Sequence, residues 1–226
     1  AIVARCLRKN AAERYASAAE VAADLSSLAQ AMKAGMFPAA PGRREPRADR
    51  PARALWRTEL ARLLANHAGA VEEQMDVLRH FKHAQSFRLL AQDLAGTLTV
   101  ERLADHLSAL ADVILAATLA EVWTQMQGPG MPPKFAIIGF GKLGGKELGY
   151  ASDIEVMFIY GGAGQTSGPR VVSATEFYDK LVTEFSRSIW ARREGIFQID
   201  LDLRPYGSAG SLAVSLDSFR RYFALG

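Results

Sequence analysis

Apolar residues recur at helical spacing through the middle of the chain, from Leu55 to about Gln127. Such spacing predicts amphipathic helices, because residues three and four apart lie on the same face of a helix. Gly96 predicts the end of one helix, and Thr99 followed by Glu101 predicts the start of the next. The apolar positions that carry the pattern are Leu60, Leu63, Leu64, Val77, Leu78, Phe81, Leu103, Leu107, Leu110, Val113 and Ile114. We therefore expect a helical segment over residues 55–130.

The pattern changes to that of β-strands after a cluster of glycines and prolines. Two short apolar runs, 135–138 and 156–160, predict buried strands. Residues 197–204 alternate between apolar and polar side chains, which predicts a strand with one polar face. Residues 173–193 are amphipathic at helical spacing and predict a helix behind the sheet. The expected fold is therefore α+β, with the helical segment followed by a mixed sheet and packed helices over residues 131–226.

A glycine-rich stretch joins the first two predicted strands, with glycines at positions 139, 141, 144 and 145 and lysines at 142 and 146. Asp153 and Glu155 follow it, two residues apart at the start of the second strand. Because successive side chains of a strand point to opposite faces, these two carboxylates share a face. Paired carboxylates that face a glycine turn with lysines predict a site for phosphate groups and a metal ion.

Two common phosphate-binding motifs do not fit this stretch. Residues 139–144 match the dinucleotide pattern G-x-G-x-x-G, but that fold needs a crossover helix before its next strand. Only about eight residues separate Gly144 from Asp153, whereas such a crossover takes a dozen or more. The P-loop pattern also fails, because Leu143 follows Lys142 where a magnesium-binding Ser or Thr is required.

The third interpretation is the palm of a nucleotidyltransferase. In such a site a glycine turn holds the triphosphate, two carboxylates hold metal ions, and a third carboxylate comes from a neighbouring strand. Asp200 and Asp202 are candidates for that third group, since both lie on the polar face of the predicted strand over residues 197–204. A solvated surface strand shows the same alternation, so this segment supports the interpretation only in combination with Asp153 and Glu155.

Two long motifs, and a helical run upstream of them, resemble the glutamine synthetase adenylyltransferase family. They stand in the family's order and consist of residues 78–82, 89–96, 139–148, 152–155, 200–207 and 210–212. The resemblance covers about residues 55–226 and implies a polymerase-β-like nucleotidyltransferase palm over residues 131–226. Because the family's domain continues past the last of these motifs, we expect the domain to be incomplete in this chain.

The resemblance implies a reaction and its partners. AMP would move from ATP to a tyrosine hydroxyl of glutamine synthetase, or would be removed from it by phosphorolysis. The family carries two domains with these opposite activities, and both remain open for this chain. Glutamine synthetase is thus the expected protein substrate, and a signalling protein of the PII type is a further expected partner.

The resemblance also implies the catalytic residues, position by position. Asp153, Glu155 and Asp200 would be catalytic and would hold two Mg²⁺ ions. Two positions depart from the family's pattern, since Glu155 stands where Asp is common and Asp202 stands where Arg is usual. Asp202 therefore remains a rival to Asp200 as the third metal ligand.

A nucleotide-binding set follows from the same resemblance: Gly141, Lys142, Gly144, Gly145, Ser152 and Arg204. Within this set, Lys142 and the backbone N–H groups near Gly144 and Gly145 would offset the charge of the triphosphate. ATP is the expected AMP donor.

Residues 1–35 form a separate unit in the sequence. They resemble the last helices of a bacterial Ser/Thr protein kinase domain, but they contain no glycine loop, catalytic-loop Asp or D-F-G motif. A linker with four prolines and five arginines is predicted over residues 36–54. Its charge accounts for the net charge of +3, so the remaining residues are balanced and we expect no nucleic-acid partner.

The composition allows a large core, since 49% of the residues are hydrophobic, and the single cysteine excludes an internal disulfide. No apolar run approaches the length of a membrane span and no secretory pattern opens the sequence, so we expect a cytoplasmic protein without membrane contact. A non-catalytic repeat that only docks glutamine synthetase or a signalling protein is the alternative to an enzyme. Intact Asp153, Glu155 and Asp200 argue against that alternative.

Overall fold

The computed structural model describes residues 50–127, 134–162, 164–166, 171–189 and 196–223. The kinase-like segment 1–35 and most of the predicted linker lie outside the described residues. The described part consists of a three-helix segment followed by a small mixed sheet with helices packed on it. This arrangement confirms the expected α+β class.

Three long helices form the helical segment: α1 spans Arg50–Ala65, α2 spans Val71–Leu94 and α3 spans Val100–Gln127. The break between α2 and α3 falls where the sequence predicts it. Gly96 adopts a left-handed backbone with φ of +66°, which ends a helix at little cost for a glycine. The Thr99 hydroxyl oxygen accepts a hydrogen bond from the N–H of Arg102 at 3.4 Å and so caps α3.

The start of α1 corrects the predicted boundary of the linker. Residues 50–54 are helical, although their prolines and arginines predict a linker up to residue 54. Pro51 is compatible with the first turn of a helix. The backbone N–H groups of that turn have no partner within the helix, so the N–H that proline lacks is not needed there. The Arg53 guanidinium pairs with the carboxylate of Asp112 in α3 at 3.0 Å, which ties this turn to the bundle.

The apolar stripes of the three helices meet in one core, as predicted. Nine of the predicted positions are at most 8% exposed: Leu60, Leu64, Leu78, Phe81, Leu103, Leu107, Leu110, Val113 and Ile114. Helix α3 is 28 residues long and apolar enough to cross a membrane by length and composition alone. Most of that stretch is buried inside the protein, which is also what the central helix of a core requires.

Four strands form the sheet: β1 spans Phe135–Gly139, β2 spans Ile154–Tyr160, β3 spans Ile199–Asp200 and β4 spans Ala213–Ser215. β1 runs antiparallel to β2, whereas β3 and β4 both run parallel to it. Three further helices belong to this part of the chain: α4 spans Gly141–Gly144, α5 spans Ala174–Ile189 and α6 spans Leu216–Phe223. The mixed sheet is therefore centred on β2.

β3 and β4 lie end to end along one edge of β2. On the β1 side, the N–H of Phe140 donates to the carbonyl oxygen of Glu155 at 2.9 Å. The N–H of Ile154 instead donates to the carbonyl oxygen of Gln198 at 2.8 Å. Neighbouring residues of a strand direct their backbone groups to opposite edges, so β3 lies on the edge that β1 leaves free. β4 pairs with the end of β2 on that same edge, and residues 201–212 form an excursion between the two short strands.

One face of β2, which we call the core face, carries Ile154, Val156, Phe158 and Tyr160. All four belong to the main apolar cluster, together with residues of the bundle and of α5. Phe158 packs edge-to-face on Phe185 of α5, with ring centroids 5.2 Å apart. The amphipathic helix predicted behind the sheet is therefore confirmed, and it buries its apolar stripe on the core face.

The opposite face of β2, which we call the acid face, carries Glu155, Met157 and Ile159. Met157 and Ile159 are buried, but they do not belong to the main apolar cluster. Glu155 is only half-buried. β2 is thus covered on both faces except at the end that bears the acid.

The strand predicted over residues 197–204 exists only at Ile199–Asp200, which corrects its length. The N–H of Arg204 donates to the carbonyl oxygen of Leu201 at 3.2 Å, and the N–H of Gly207 donates to that of Arg204 at 2.8 Å. A 3-10 turn follows at Gly207–Ala209. These local hydrogen bonds take the place of a ladder with β2, so the alternating pattern continues into turns.

Candidate active site

Two of the three predicted acids lie in neighbouring strands, and the third lies just before one of them. Parallel pairing places Glu155 of β2 directly opposite Asp200, the last residue of β3. Paired residues of neighbouring strands project on the same face, so these two side chains stand side by side. Asp153 is exposed and stands two residues before Glu155. The sheet therefore places Glu155 and Asp200 side by side, and Asp153 lies just before β2.

Glu155 lies against the glycine turn. A Cβ atom placed on Gly141 would overlap the carboxylate of Glu155. Gly141 also has φ of +48°, a left-handed conformation that residues with a side chain rarely adopt. Only glycine therefore lets the turn approach this acid so closely, and the structure brings the turn and the acid into contact.

The N–H groups of Gly144 and Gly145 already have partners. They donate to the carbonyl oxygens of Phe140 and Gly141, each at 2.9 Å. The contact expected between these N–H groups and a triphosphate is therefore not available in this conformation, because the turn of α4 uses both donors. Position 144 requires glycine for a different reason, because a Cβ atom there would lie 2.6 Å from the carbonyl oxygen of Gly139.

The two lysines of the glycine stretch have different surroundings. Lys142 is exposed on α4. Lys146 lines a cavity of about 640 Å³ behind the turn, together with Arg53 and Asp112 of the bundle. Burial raises the pKa of the Asp112 carboxyl, and the charges of Arg53 and Lys146 partly offset that rise. Lys146 thus faces the bundle, and Lys142 remains the lysine predicted for the triphosphate.

Asp200 and Asp202 occupy different environments. Asp200 belongs to β3, and its carboxylate accepts a hydrogen bond from the N–H of Asp202 at 2.8 Å. Asp202 lies in the following turn, where its side chain is 79% exposed and its carboxylate is 3.9 Å from the guanidinium of Arg204. The two acids therefore do not share one strand, and only Asp200 pairs with Glu155.

Arg204 and Ser152 make local contacts in this structure. The Arg204 guanidinium is buried and donates to the carbonyl oxygens of Leu201 at 2.7 Å and Gly210 at 3.4 Å. The Ser152 hydroxyl oxygen accepts a hydrogen bond from the N–H of Gly149 at 3.0 Å. Both residues therefore support the loops that carry the acids, and their contacts with a nucleotide stay predictions.

The residue types at positions 153, 155 and 200 fit a magnesium site, because carboxylate oxygens are the ligands that Mg²⁺ prefers. Across the described ranges, no group of three or more His, Cys, Asp or Glu side chains is gathered closely enough to hold a metal ion. The Glu155 carboxylate lies against Gly141, and the Asp200 carboxylate accepts a backbone hydrogen bond. The three carboxylates are thus not gathered at one point in this conformation, and their joint binding of a metal ion stays a prediction.

One contact near the site has no signal in the sequence. The hydroxyl of Tyr150, in the loop before Asp153, donates to the carboxylate of Asp93 in α2 at 3.3 Å. Burial, the charge of Asp93 and this hydrogen bond raise the pKa of Tyr150 to about 12. The contact links the acid-bearing loop to the bundle, and neither residue belongs to a pattern that predicts the other.

Comparison with known proteins identifies the family. The family model described as glutamate-ammonia ligase adenylyltransferase matches residues 39–225, which is most of the chain. The chain belongs to this family. This match confirms the family that the two long sequence motifs predict.

Curated relatives of this chain carry the name bifunctional glutamine synthetase adenylyltransferase/adenylyl-removing enzyme. The enzyme of Chromobacterium violaceum is 43% identical over 218 residues, which cover 93% of this chain and 22% of the relative. Those of Aromatoleum aromaticum and Bordetella pertussis are each 46% identical over 155 residues, covering 67% of this chain and 16% of the relative. This family member thus spans about a fifth of the length of the curated relatives it matches.

None of these matches supports the resemblance of residues 1–35 to a protein kinase. The alignment with the Chromobacterium violaceum enzyme covers so much of the chain that it includes part of these residues. The family model begins at residue 39, inside the predicted linker.

Proposed function

We propose that this chain contributes the nucleotidyltransferase site of an enzyme that moves AMP from ATP to a tyrosine hydroxyl of glutamine synthetase, or removes it by phosphorolysis. The observation that carries the proposal is the pairing of Glu155 with Asp200 beside the Gly141 turn. These residues come from separate stretches of the sequence within the region that the family model matches, and the fold brings them next to one another. The mixed pairing around β2, with acids at its open end, supports a polymerase-β-like palm.

Each residue of the site has a proposed role. Asp153, Glu155 and Asp200 would hold Mg²⁺ ions through their carboxylate oxygens. When bound, these ions would neutralise charge on the triphosphate and lower the pKa of the attacking hydroxyl. The exposed ammonium group of Lys142 would add positive charge beside the phosphates. Gly141 keeps the turn close enough to Glu155 for both to meet the same nucleotide.

The transfer forms a bond between the tyrosine oxygen and the α-phosphorus of ATP. The bond between that phosphorus and the oxygen leading to the β-phosphate breaks, and pyrophosphate leaves with its electron pair. Asp200 is the proposed acceptor of the tyrosine proton. In the removing direction, inorganic phosphate attacks the phosphorus of the modified tyrosine, so that ADP and free tyrosine are the products.

The proposed partners follow from the family. The relatives are named for action on glutamine synthetase, and we propose the same protein substrate for this chain. A signalling protein of the PII type is the proposed regulatory partner, and the cytoplasm is the proposed location. The balanced charge of the chain outside residues 36–54 supports a protein substrate over a nucleic acid.

The test compares Asp200→Asn with Asp202→Asn in the complete natural polypeptide that carries this sequence. Incorporation of labelled AMP from ATP into glutamine synthetase, and its release by phosphate, are measured for each variant. Loss of a metal ligand should lower the rate by about a thousandfold or more. Asp202→Asn should change the rate less than about tenfold, because an exposed ion pair contributes at most about 1 kcal/mol.

The outcomes separate the alternatives. An inactive Asp202 variant with an active Asp200 variant would show that the third acid is misassigned. If the unaltered protein binds glutamine synthetase but neither adds nor removes AMP, the chain is instead a non-catalytic docking module.

A further inference from the structure

Helix α6 follows β4 directly and begins at the end of β2 that lies away from the acids. Met157 and Ile159 of β2 and Val214 of β4 are at most 7% exposed, although all three lie outside the main apolar cluster. α6 contacts both β2 and β4. Glu155 lies on the same face, two residues before Met157. Glu155 and Asp200 therefore lie at one end of β2, and α6 begins at the other end.

Three exposed aromatic residues lie where α6 meets the loop that follows Asp200. Tyr206 of the loop contacts Tyr222 of α6 edge-to-face, with ring centroids 5.1 Å apart. Tyr222 contacts Phe223 in the same manner at 5.0 Å. The three residues are 74%, 42% and 51% exposed, whereas Phe158 of the core face and Phe185 of α5 are fully buried. We call Tyr206, Tyr222 and Phe223 the aromatic rim.

The loop holds Tyr206 in an unusual conformation. Its backbone is left-handed, with φ of +65° and ψ of 13°, which side-chain-bearing residues rarely adopt. The buried Arg204 guanidinium, bonded to the carbonyl oxygens of Leu201 and Gly210, fixes the loop on both sides of Tyr206. Strained residues that surrounding contacts hold in place cluster at ligand sites. The Tyr206 side chain contributes little to the stability of the fold, because most of it is exposed to solvent.

We propose that the aromatic rim, with Tyr206 as its main contact, is the stacking surface for the adenine base of ATP. The inference rests on the proposed function, which places the triphosphate between the Gly141 turn and the acids. Exposed aromatic rings bind nucleobases by stacking on their π faces, without hydrogen bonds to the base edges. Tyr206 belongs to the loop that begins at Asp200, the acid paired with Glu155, so phosphates bound at the acids would bring the base of the nucleotide near this loop.

The experiment measures binding of two probes to the complete natural polypeptide by calorimetry in the presence of Mg²⁺. One probe is α,β-methylene-ATP, which cannot transfer AMP, and the other is inorganic tripolyphosphate, which has no base. Tyr206→Ala should weaken binding of the ATP analogue between about 5-fold and 150-fold, the range for loss of one stacked ring. Its affinity for tripolyphosphate should stay unchanged.

Two further variants control this comparison. Tyr206→Phe keeps the ring and should bind the ATP analogue as the unaltered protein does. Leu203→Ala removes a different apolar side chain of the same loop, which is 48% exposed, and should leave both affinities unchanged.

Each contrary result has a definite meaning. An unchanged affinity of Tyr206→Ala for the ATP analogue overturns the stacking role, and an equal loss for both probes shows that Tyr206 only shapes the loop. Weaker binding of glutamine synthetase with unchanged nucleotide binding would make the rim a protein-docking surface and would also overturn the inference. If the unaltered protein binds neither probe, the proposed nucleotidyltransferase function itself fails.

Discussion

The two faces of β2 follow different physical rules. On the core face, Ile154, Val156, Phe158 and Tyr160 are at most 4% exposed and belong to the main apolar cluster. On the acid face, Glu155 is half-buried beside Gly141, and only the residues beyond it are covered. Burial of apolar surface stabilises a fold, whereas a reacting group must remain accessible to its substrate. One strand therefore anchors the domain with one face and presents the candidate chemistry with the other.

Because the two faces differ in this way, we expect variants of the sheet, and of the helices that pack on it, to have two different kinds of effect. Changes on the core face should lower the stability of the protein and leave the activity of the folded fraction intact. Changes on the acid face should lower activity or metal binding with little effect on stability.

The largest expected effect is that of Glu155→Gln on the acid face. Transfer of AMP should fall by about a thousandfold or more, because a metal ligand and its charge are lost while the side chain keeps its size. Calorimetry should also show weaker binding of Mn²⁺. The midpoint of thermal unfolding should remain close to that of the unaltered protein, and a large drop would mean that Glu155 serves the fold.

A smaller change in free energy is expected from Leu181→Ala, at a fully buried position of α5. The cavity left behind should lower the free energy of unfolding by about 2–5 kcal/mol, measured by denaturant titration. Leu55→Ala is the matched control, since Leu55 is 69% exposed, and it should cost less than about 0.5 kcal/mol. Similar costs for the two variants would contradict the assignment of the core.

The third prediction sharpens the comparison at the glycine turn. Gly141→Ala should cost about 1–2 kcal/mol of stability for its left-handed backbone, and it should also lower activity more than about tenfold by displacing Glu155. Gly96→Ala has a similar left-handed backbone, but nothing lies within 4 Å of its Cβ position. Its stability cost should be similar and its activity unchanged, so equal activities of the two variants would argue against the Glu155 contact.

The smallest expected effect concerns the link between Tyr150 and Asp93. The pKa of Tyr150 is raised to about 12, above its value of about 10 in an unfolded chain. The unfolded chain therefore loses this proton first, so the stabilising contribution is complete below about pH 10 and is lost as the pH rises to about 12. The difference in unfolding midpoint between the unaltered protein and Tyr150→Phe should shrink across that interval.

Asp93→Asn tests the same link from the bundle side. It removes the charge and the carboxylate acceptor that raise the pKa of Tyr150, so it should weaken the same pH dependence. A difference in unfolding midpoint that stays constant between about pH 10 and pH 12 for both variants would show that the contact contributes nothing measurable.

Local patterns in the sequence determined the helices and the pairing of the first two acids. The apolar stripes, Gly96 and the Thr99 cap predict α2 and α3 because the hydrogen bonds of a helix join residues four positions apart. The alternation of strand side chains likewise predicts that Asp153 and Glu155 share a face, although β2 itself begins at Ile154. In both cases the interacting groups are close in the chain, so their identity and spacing are sufficient.

The tertiary structure alone decided which distant groups meet. The strand pattern of residues 197–204 does not show that the chain turns directly after Asp200, and it leaves Asp202 as an equal candidate. The pairing of Glu155 with Asp200, the contact of Glu155 with Gly141 and the bond between Tyr150 and Asp93 all depend on the path of the chain. The packing of whole helices and strands determines such contacts, because the residues next to a position in the sequence do not show which distant residues it will contact in the fold.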